Sequence, residues 1–260
     1  MNITPYYQND LITLYKGDCL EIMPELNIKF DACITDPPYG TTACKWDSVI
    51  PFEPMWENLK MLVKSNGAIC LFGSEPFASL LRCSNLKMFK YDWVWHKSKS
   101  GSAFTAKYRP VNKHEMIMVF GNGKICYNPQ KNKGIPYNRT HKISEFDVNN
   151  HRIGFNKKQV DSINNGFRFP ITIQFFQQKW RRQDQLHPTQ KPVSLIEYLI
   201  RTYTNENEYV LDFAAGSGTT GIACMNLNRK CVLIEKEEKY CEIIVNRLKE
   251  IEKKQEEILF

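Results

Sequence analysis

The sequence lacks the features that would place the chain in a membrane or a secretory pathway. No apolar run approaches the roughly 20 residues needed to cross a bilayer. Residues 1–7 do not follow the basic and then apolar order of a signal peptide. Internal repeats and low-complexity tracts are missing as well. We therefore expect a cytoplasmic protein without membrane association.

Paired cysteines are also missing. The nine cysteines are an odd number and form no Cys-x-x-Cys pair, whereas zinc sites and disulfide scaffolds show regular cysteine spacing. Cys33, Cys70 and Cys231 lie in apolar stretches, where a free cysteine behaves as a small hydrophobe. The sequence therefore predicts a reduced protein with no metal site.

The chain does contain enough apolar residues for a core, and one basic segment. Of its 260 residues, 42% are hydrophobic and 12% are aromatic, which suits one large domain. The whole positive excess behind the net charge of +7 lies in residues 121–186, which hold 12 lysines and arginines but four aspartates and glutamates. Such a segment is typical of a surface that meets a polyanion. A basic surface that is merely solvated is the alternative.

Short apolar runs alternate with helical patterns, which predicts a mostly parallel, doubly wound α/β sheet. The predicted strands are residues 11–15, 31–35, 68–72, 91–95, 116–120, 209–212 and 230–234. The predicted helices are residues 19–26, 52–63, 75–86, 193–203, 222–228 and 237–259. Because the alternation fails in the basic segment, we expect three parts: residues 1–120, an inserted region of residues 121–186, and residues 187–260.

The motif Asp36-Pro37-Pro38-Tyr39 directly follows a predicted buried strand. Proline cannot donate to a sheet ladder and has a fixed φ, so the strand stops here and its carbonyls are free. A carboxylate, a fixed carbonyl and an aromatic ring are thereby held at the carboxyl end of a strand, where α/β sheets bind ligands. Two acceptors beside a stacking face suit a planar base with an exocyclic amine. The alternative is a Pro-Pro turn that only ends the strand.

A second motif, Asp212 to Thr220, has the order strand, Gly-x-Gly turn and helix. Glu235 follows Gly216 by 19 residues, at the end of the next predicted strand. An acidic residue at about this spacing can bind the ribose hydroxyls of a nucleotide-type cofactor. An ordinary tight turn is the alternative. Asp18 lies at another strand-to-helix junction, where it is an N-cap, a ligand contact or both.

These motifs resemble those of the DNA methyltransferases that methylate amino groups with S-adenosylmethionine. Asp36 to Tyr39 looks like their catalytic motif, 212–220 looks like their cofactor motif, and 187–192 is similar to the segment before it. The catalytic motif comes first and the basic region lies between the two, as in the beta group of this family. The resemblance covers roughly residues 11–120 and 187–245. It implies a circularly permuted Rossmann-like methyltransferase sheet with helices on both faces and an irregular inserted target-recognition region.

The resemblance also implies roles for individual residues. Tyr39 would stack on a base flipped out of double-stranded DNA, while the Asp36 carboxylate and the Pro37 carbonyl accept hydrogens from its amine. The predicted catalytic residues are Asp36, Pro37, Pro38 and Tyr39. The predicted contacts to S-adenosylmethionine are Asp18, Lys191, Asp212, Phe213, Ala215, Gly216, Ser217, Gly218, Thr219 and Glu235. The predicted contacts to DNA are Lys97, Arg139, Arg152, Arg181 and Arg182.

Within the cofactor site, the resemblance assigns Asp18 to the adenine end, Glu235 to the ribose and Asp212 to the methionine part. Lys191 would neutralise the methionine carboxylate, and the alternative is a surface lysine that starts a helix. The sequence departs from the family at Phe213, because family members often have a proline between the aspartate and the aromatic residue. The Phe213 ring remains next to Asp212 and would pack on the adenine.

The substrate and the partners leave alternatives open. In the family, aspartate at the first catalytic position favours the N6 amine of adenine over the N4 amine of cytosine. An RNA methyltransferase, a catalytically dead DNA-binding module and a nicotinamide-dependent enzyme are the other candidates. The motif order speaks against RNA, and the intact Asp36, Tyr39, Gly216 and Glu235 speak against a dead module. The resemblance suggests two partners, a second copy of the chain in a homodimer and a cognate restriction enzyme, and it decides neither.

Overall fold

The computed structural model describes residues 3–41, 47–100, 104, 106–147, 152–178 and 190–259. The strands are β1 (Tyr7–Gln8), β2 (Ile12–Lys16), β3 (Phe30–Thr35), β4 (Val63–Gly73), β5 (Phe89–Lys97), β6 (His114–Phe120), β7 (Asn132–Lys133), β8 (Tyr137–Asp147), β9 (Arg152–Asn164), β10 (Phe167–Arg168), β11 (Ile173–Phe176), β12 (Tyr209–Asp212) and β13 (Lys230–Glu235). The helices are α1 (Cys19–Ile22), α2 (Phe52–Leu62), α3 (Phe77–Ser84), α4 (Val193–Tyr203), α5 (Thr219–Asn226) and α6 (Glu238–Leu259), with a 3-10 turn at Met23–Glu25. The chain forms two compact units, residues 1–128 with 172–260, and residues 129–171.

The described part of the first unit is built on a nine-stranded sheet with the order β1-β2-β13-β12-β3-β4-β6-β5-β11. Strands β2, β13, β12, β3 and β4 run parallel, whereas β6 is antiparallel to both β4 and β5. Strands β12 and β13, from the end of the chain, therefore lie between β2 and β3, from its beginning. This order confirms the predicted permuted α/β sheet and brings the two sequence motifs to neighbouring strands.

Both faces of the sheet are covered by helices, as predicted. On one face, β3 residues Ala32 and Ile34 pack with apolar side chains of α4, α5 and α6. On the other face, Phe30 and Cys33 pack with apolar side chains of α1, α2 and α3. Every residue of β3 is buried, which explains its unbroken apolar run, because parallel strands between two helix layers have no solvent side.

The junction of α2 and β4 differs from the sequence prediction, which begins this strand at Ala68. Helix α2 ends at Leu62, and β4 begins at Val63 and runs through Asn66 and Gly67. Gly67 is required for close packing, since a Cβ atom there would lie 2.8 Å from the Asp31 carbonyl oxygen and 2.6 Å from Val63 Cγ1. The glycine thus belongs to a tightly packed strand and does not mark the end of a helix.

The second unit is smaller and more regular than the predicted insertion of residues 121–186. It contains β7, β8, β9 and β10, in which β8 and β9 form a long antiparallel hairpin with Tyr137 opposite Asn164 and Asp147 opposite Arg152. Strand β11 lies outside this unit, because it pairs in parallel with β5 of the large sheet. Within the described residues, no helix is long and apolar enough to span a bilayer.

Candidate active site

The carboxyl ends of β2, β3, β12 and β13 meet at one edge of the sheet, because these strands are parallel neighbours. Each of them ends at or just before an acidic residue, and these are Asp18, Asp36, Asp212 and Glu235. All four acidic residues line one cleft. The cleft is also lined by Pro37, Pro38, Tyr39, Lys191, Phe213, Ala215, Gly216, Ser217 and Thr219. The fold therefore brings the predicted catalytic residues and most of the predicted cofactor residues to one place.

The Pro-Pro corner holds Tyr39 between two carboxylates. The Tyr39 hydroxyl lies 2.6 Å from Asp36 Oδ1 and 2.9 Å from Glu115 Oε1. Its ring stacks on Phe77, with centroids 5.0 Å apart and planes inclined by 23°. The aromatic ring is thus fixed by a stacking partner and by its hydroxyl group. An acceptor carboxylate and an oriented aromatic ring are the groups that amine chemistry on a planar base requires.

Lys191 links the same two carboxylates. Its ammonium group contacts Asp36 Oδ2 and lies 2.9 Å from Glu115 Oε1. Burial opposes the charge of Lys191, yet Asp36 and Glu115 together raise the pKa of its amine above the ordinary value. Burial and the negative charge of Glu115 raise the pKa of Asp36, and Lys191 opposes this rise. The predicted role of Lys191 toward a cofactor carboxylate stays a prediction.

Glu235 closes the turn after β12. Its Oε2 accepts a hydrogen bond of 2.7 Å from the Gly216 backbone, and its Oε1 accepts one of 2.9 Å from the Glu237 backbone. Burial raises the pKa of Glu235 to about 7, although these backbone donors oppose the rise. The carboxylate is therefore held at the floor of the cleft with acceptor capacity left for a ligand.

Asp212 is buried below the same turn. Its Oδ2 accepts a hydrogen bond of 2.6 Å from the Thr220 hydroxyl, and its Oδ1 accepts one of 3.2 Å from the Ala214 backbone. Burial raises the pKa of Asp212 to about 6 despite these bonds. Asp212 thus stabilises the turn as well as lining the cleft.

Asp18 and Gly218 have structural roles that the structure makes explicit. Asp18 caps α1 by accepting a hydrogen bond of 2.9 Å from the Leu20 backbone, and it also pairs with Lys236 at 3.1 Å. Gly218 precedes α5 with φ 74°, and a Cβ atom there would lie 2.8 Å from Ile244 Cγ1. Gly218 is the predicted cofactor residue that is not among the residues lining the cleft. A glycine is required at this position by the backbone conformation and by the packing of α6.

The predicted DNA contacts fall in separate parts of the sequence. Lys97, at the end of β5, pairs with Glu115 at 2.6 Å and lies 5.2 Å from the Trp95 ring. Arg139 is exposed in the second unit and lies 5.0 Å from the Tyr137 ring. Arg152 begins β9, and Arg181 and Arg182 lie outside the described residues. Their contacts to DNA stay predictions.

Glu115 is the site residue that sequence reasoning missed. It lies in β6, remote in sequence from both motifs, and 4% of its surface is exposed. An acidic residue just inside an otherwise apolar strand, Glu-Met-Ile-Met-Val-Phe, was the available signal. A buried acid is rarely tolerated without partners, so the pattern could have marked it as part of a site.

A mostly parallel sheet with an acidic, glycine-containing cleft at the carboxyl ends of its strands is typical of enzymes that bind a nucleotide-type cofactor. The family described as DNA methylase, N6_N4_Mtase, matches residues 30–246, so the chain belongs to this family. It is a DNA methyltransferase, with its motifs in the order of the beta group.

Individual relatives agree with this assignment. The chain is 25% identical over 280 residues to the Type II methyltransferase M2.MboI of Moraxella bovis, covering 96% of this chain and 93% of that protein. It is 29% identical over 233 residues to the Type II methyltransferase M.HpaI of Haemophilus parainfluenzae, covering 84% and 68%. The crystal structure of the M1.HpyAVI–SAM complex is similar with a TM-score of 0.62 and 25% identity, covering 92% of this chain and 99% of that one. PvuII DNA methyltransferase (cytosine-N4-specific) shares the fold, with a TM-score of 0.61 and 15% identity.

Proposed function

We propose that this DNA methyltransferase moves a methyl group from S-adenosylmethionine to the N6 amine of an adenine flipped out of double-stranded DNA. The observation that carries the proposal is the Asp36-Pro37-Pro38-Tyr39 corner, which lies beside the acidic cleft at the carboxyl ends of β3 and β12. A carboxylate, a carbonyl and an aromatic ring in one rigid corner suit a base amine better than they suit hydride transfer.

The residues of the cleft fit S-adenosylmethionine. The Thr219 hydroxyl is buried at the cleft and has no hydrogen-bond partner within the described residues, which is costly unless a ligand supplies one. Glu235 suits the ribose hydroxyls, and the buried ring of Phe213 suits an adenine. Asp18 and Asp212 line the same cleft. The crystallised relative M1.HpyAVI is named as a SAM complex, which supports the same choice.

S-adenosylmethionine supplies a methyl group on a cationic sulfur, so the protein mainly aligns the amine and stabilises charge on its nitrogen. Tyr39 stacks on the extruded base, and the Pro37 carbonyl accepts one amine hydrogen. Asp36 accepts the other hydrogen and receives the proton that the nitrogen loses as it gains the methyl group. The raised pKa of Asp36 suits a group that takes up this proton.

Adenine is the proposed base because the first catalytic residue is Asp36. The corresponding family preference is the support, while the similar fold of a cytosine-N4-specific enzyme keeps cytosine as the second candidate. Labelled S-adenosylmethionine is incubated with unmethylated duplex DNA, and the nucleosides are then separated, with Asp36→Ala as the control. Labelled N6-methyladenine that disappears in the control is expected. Labelled N4-methylcytosine would correct the base, and label in RNA alone would overturn the proposal.

We propose that the inserted region, residues 121–186, recognises the DNA target. Its described part carries the basic side chains of Lys131, Lys133, Arg139 and Arg168. The guanidinium groups of Arg139 and Arg168 lie 5.0 Å and 4.7 Å from the centre of the Tyr137 ring, which supports a surface where cations are grouped. Lys97, Arg152, Arg181 and Arg182 remain proposed contacts to DNA.

The partners and the location are proposals of the same kind. The curated relatives are named Type II methyltransferases, which supports a restriction enzyme with the same target sequence as a partner. The terminal strand β11 exposes Ile173 and Phe175, which supports a homodimer. Free, buried cysteines such as Cys33 and Cys70 support a reducing, cytoplasmic location. Size-exclusion chromatography with light scattering tests the dimer, and a monomer at all concentrations would refute it.

A further inference from the structure

Glu115 is the centre of a buried cluster of charges next to the catalytic corner. Its Oε1 lies 2.9 Å from both the Tyr39 hydroxyl and the Lys191 ammonium, and its Oε2 lies 2.6 Å from the Lys97 ammonium. Lys191 in turn contacts Asp36. Charges therefore alternate along the chain of contacts from Asp36 through Lys191 and Glu115 to Lys97.

Folding stability is a weak explanation for a cluster of this kind. Buried ion pairs carry a large desolvation cost, and well-packed apolar side chains often replace them without loss of stability. The cluster also begins at the one carboxylate that the proposed reaction uses. We infer that Glu115 is a positioning residue for methyl transfer, which holds Lys191 and the Tyr39 hydroxyl so that Asp36 can accept the target amine. This inference rests on the proposed function.

The geometry indicates how Glu115 acts. The Tyr39 hydroxyl has one hydrogen to donate and faces two carboxylate oxygens, at 2.6 Å on Asp36 and 2.9 Å on Glu115. When the target amine donates to Asp36, the hydroxyl hydrogen can turn to Glu115 without movement of any heavy atom. Lys191 is likewise shared between both carboxylates. Glu115 thus accepts the hydrogen bonds of Tyr39 and Lys191 when Asp36 releases these donors on arrival of the amine.

The same arrangement has an electrostatic consequence for Asp36. The charged and titratable groups facing it are Lys191 before α4, Glu115 in β6, Asp212 at the end of β12 and Tyr39 in its own corner, with Lys97 of β5 behind Glu115. Lys191 lowers the pKa of Asp36 and Glu115 raises it. Removing the negative charge of Glu115 therefore shifts the ionisation of Asp36, and any rate that depends on it, to lower pH.

The chain offers a matched control for a merely structural role. Asp31 is another buried carboxylate, 8% exposed, and it pairs with Lys64 at 2.6 Å. It lies near the start of β3, whereas Asp36 directly follows the end of this strand, at the cleft. Asp31→Asn removes the charge of a buried carboxylate that pairs with the exposed Lys64 in the same sheet, without touching the catalytic corner.

The experiment compares wild type, Glu115→Gln, Glu115→Asp and Asp31→Asn as full-length proteins. Single-turnover methylation of unmethylated duplex DNA is measured across the pH range in which the proteins stay folded. Melting temperatures and the dissociation constants for S-adenosylmethionine and for DNA are measured alongside. For Glu115→Gln we expect a rate loss of about tenfold or more, with the S-adenosylmethionine dissociation constant changed by less than about threefold. The acidic limb of its pH–rate profile, where the rate rises as Asp36 loses its proton, moves to lower pH.

Glu115→Asp separates the effect of the negative charge from the effect of side-chain length. We expect its acidic limb to stay at the wild-type pH, because the charge is kept, while the rate falls, because the shorter side chain retracts from Tyr39 and Lys191. This variant also serves if Glu115→Gln does not fold. Asp31→Asn should change the melting temperature and leave the acidic limb in place.

Two results would overturn the inference. One is a Glu115→Gln enzyme with the wild-type rate and pH profile. The other is a set of variants, Asp31→Asn included, whose rates fall only in proportion to their melting temperatures. Absence of methyl transfer by the wild type would refute the proposed function instead, so the two failures are distinguishable.

Discussion

The carboxylate of Glu235 accepts a 2.7 Å hydrogen bond from the backbone N–H of Gly216, which lies 19 residues earlier in the chain. The bond joins the end of β13 to the turn after β12 and places the carboxylate in the cleft. Burial raises the pKa of this carboxyl group to about 7, so its charge changes close to neutral pH.

The affinity for S-adenosylmethionine should therefore rise with pH through neutrality. A carboxyl group with a pKa of about 7 is ionised in roughly one molecule in ten at about pH 6 and in nine of ten at about pH 8. Because the proposed role of the ionised form is to accept hydrogen bonds from the ribose hydroxyls, we expect up to about tenfold tighter binding at the higher pH. Calorimetric titration measures this difference. A Glu235→Gln variant should bind weakly at both pH values, and an equally steep profile in this variant would assign the pH dependence to another group.

Asp212 should cost folding stability above about pH 6. Burial raises its pKa to about 6, above the ordinary value for an aspartate in an unfolded chain. When folding raises the pKa of a carboxyl group, the free energy of unfolding falls as pH rises from the pKa in the unfolded chain to the pKa in the folded protein. For Asp212 this fall is about 3 kcal/mol. We expect Asp212→Asn to raise the melting temperature at about pH 8, and to do so much less near pH 4, while weakening cofactor binding. Thermal melts at both pH values check this, and an equal gain at both would contradict the electrostatic explanation.

Gly218→Ala should destabilise the protein through a clash with α6. The backbone at Gly218 has φ 74°, and the added Cβ would lie 2.8 Å from Ile244 Cγ1. Gly123→Ala is the matched control, since Gly123 has φ 88° and an added Cβ would have no neighbour within 4 Å. We expect a loss of about 1 kcal/mol for the control and about 2–4 kcal/mol for Gly218→Ala. Denaturant unfolding measures both, and equal losses would mean that the backbone conformation alone decides.

Arg139→Ala should weaken DNA binding at every sequence. Arg139 is exposed in the basic second unit, where a phosphate contact is the proposed role. Loss of one such contact reduces the slope of log affinity against log salt by about 1. Arg201→Ala is the control, because Arg201 is an exposed arginine of α4 that pairs with Glu197. Fluorescence anisotropy across salt concentrations checks the prediction, and an unchanged slope for Arg139→Ala would remove this residue from the interface.

The local features of this protein follow from its amino-acid pattern. The bounds of α4, β12 and β13 follow from short apolar patterns, and the Pro-Pro corner stops β3 because proline cannot continue a ladder. The acidic and glycine residues of the cleft stand within a few residues of these elements, so their placement needs only the rule that parallel strands share one carboxyl edge.

Tertiary structure decided which remote residues meet. Lys191 contacts Asp36 across 155 positions and Glu115 meets Tyr39 across 76, because α4 packs on β3 and the strand order puts β6 beside β4. Strand order depends on long-range pairing, which leaves no periodic signal in a single sequence. The β8–β9 hairpin was missed for a related reason. Its strands are polar and lack a regular alternation of apolar residues, which is the pattern that predicts a strand.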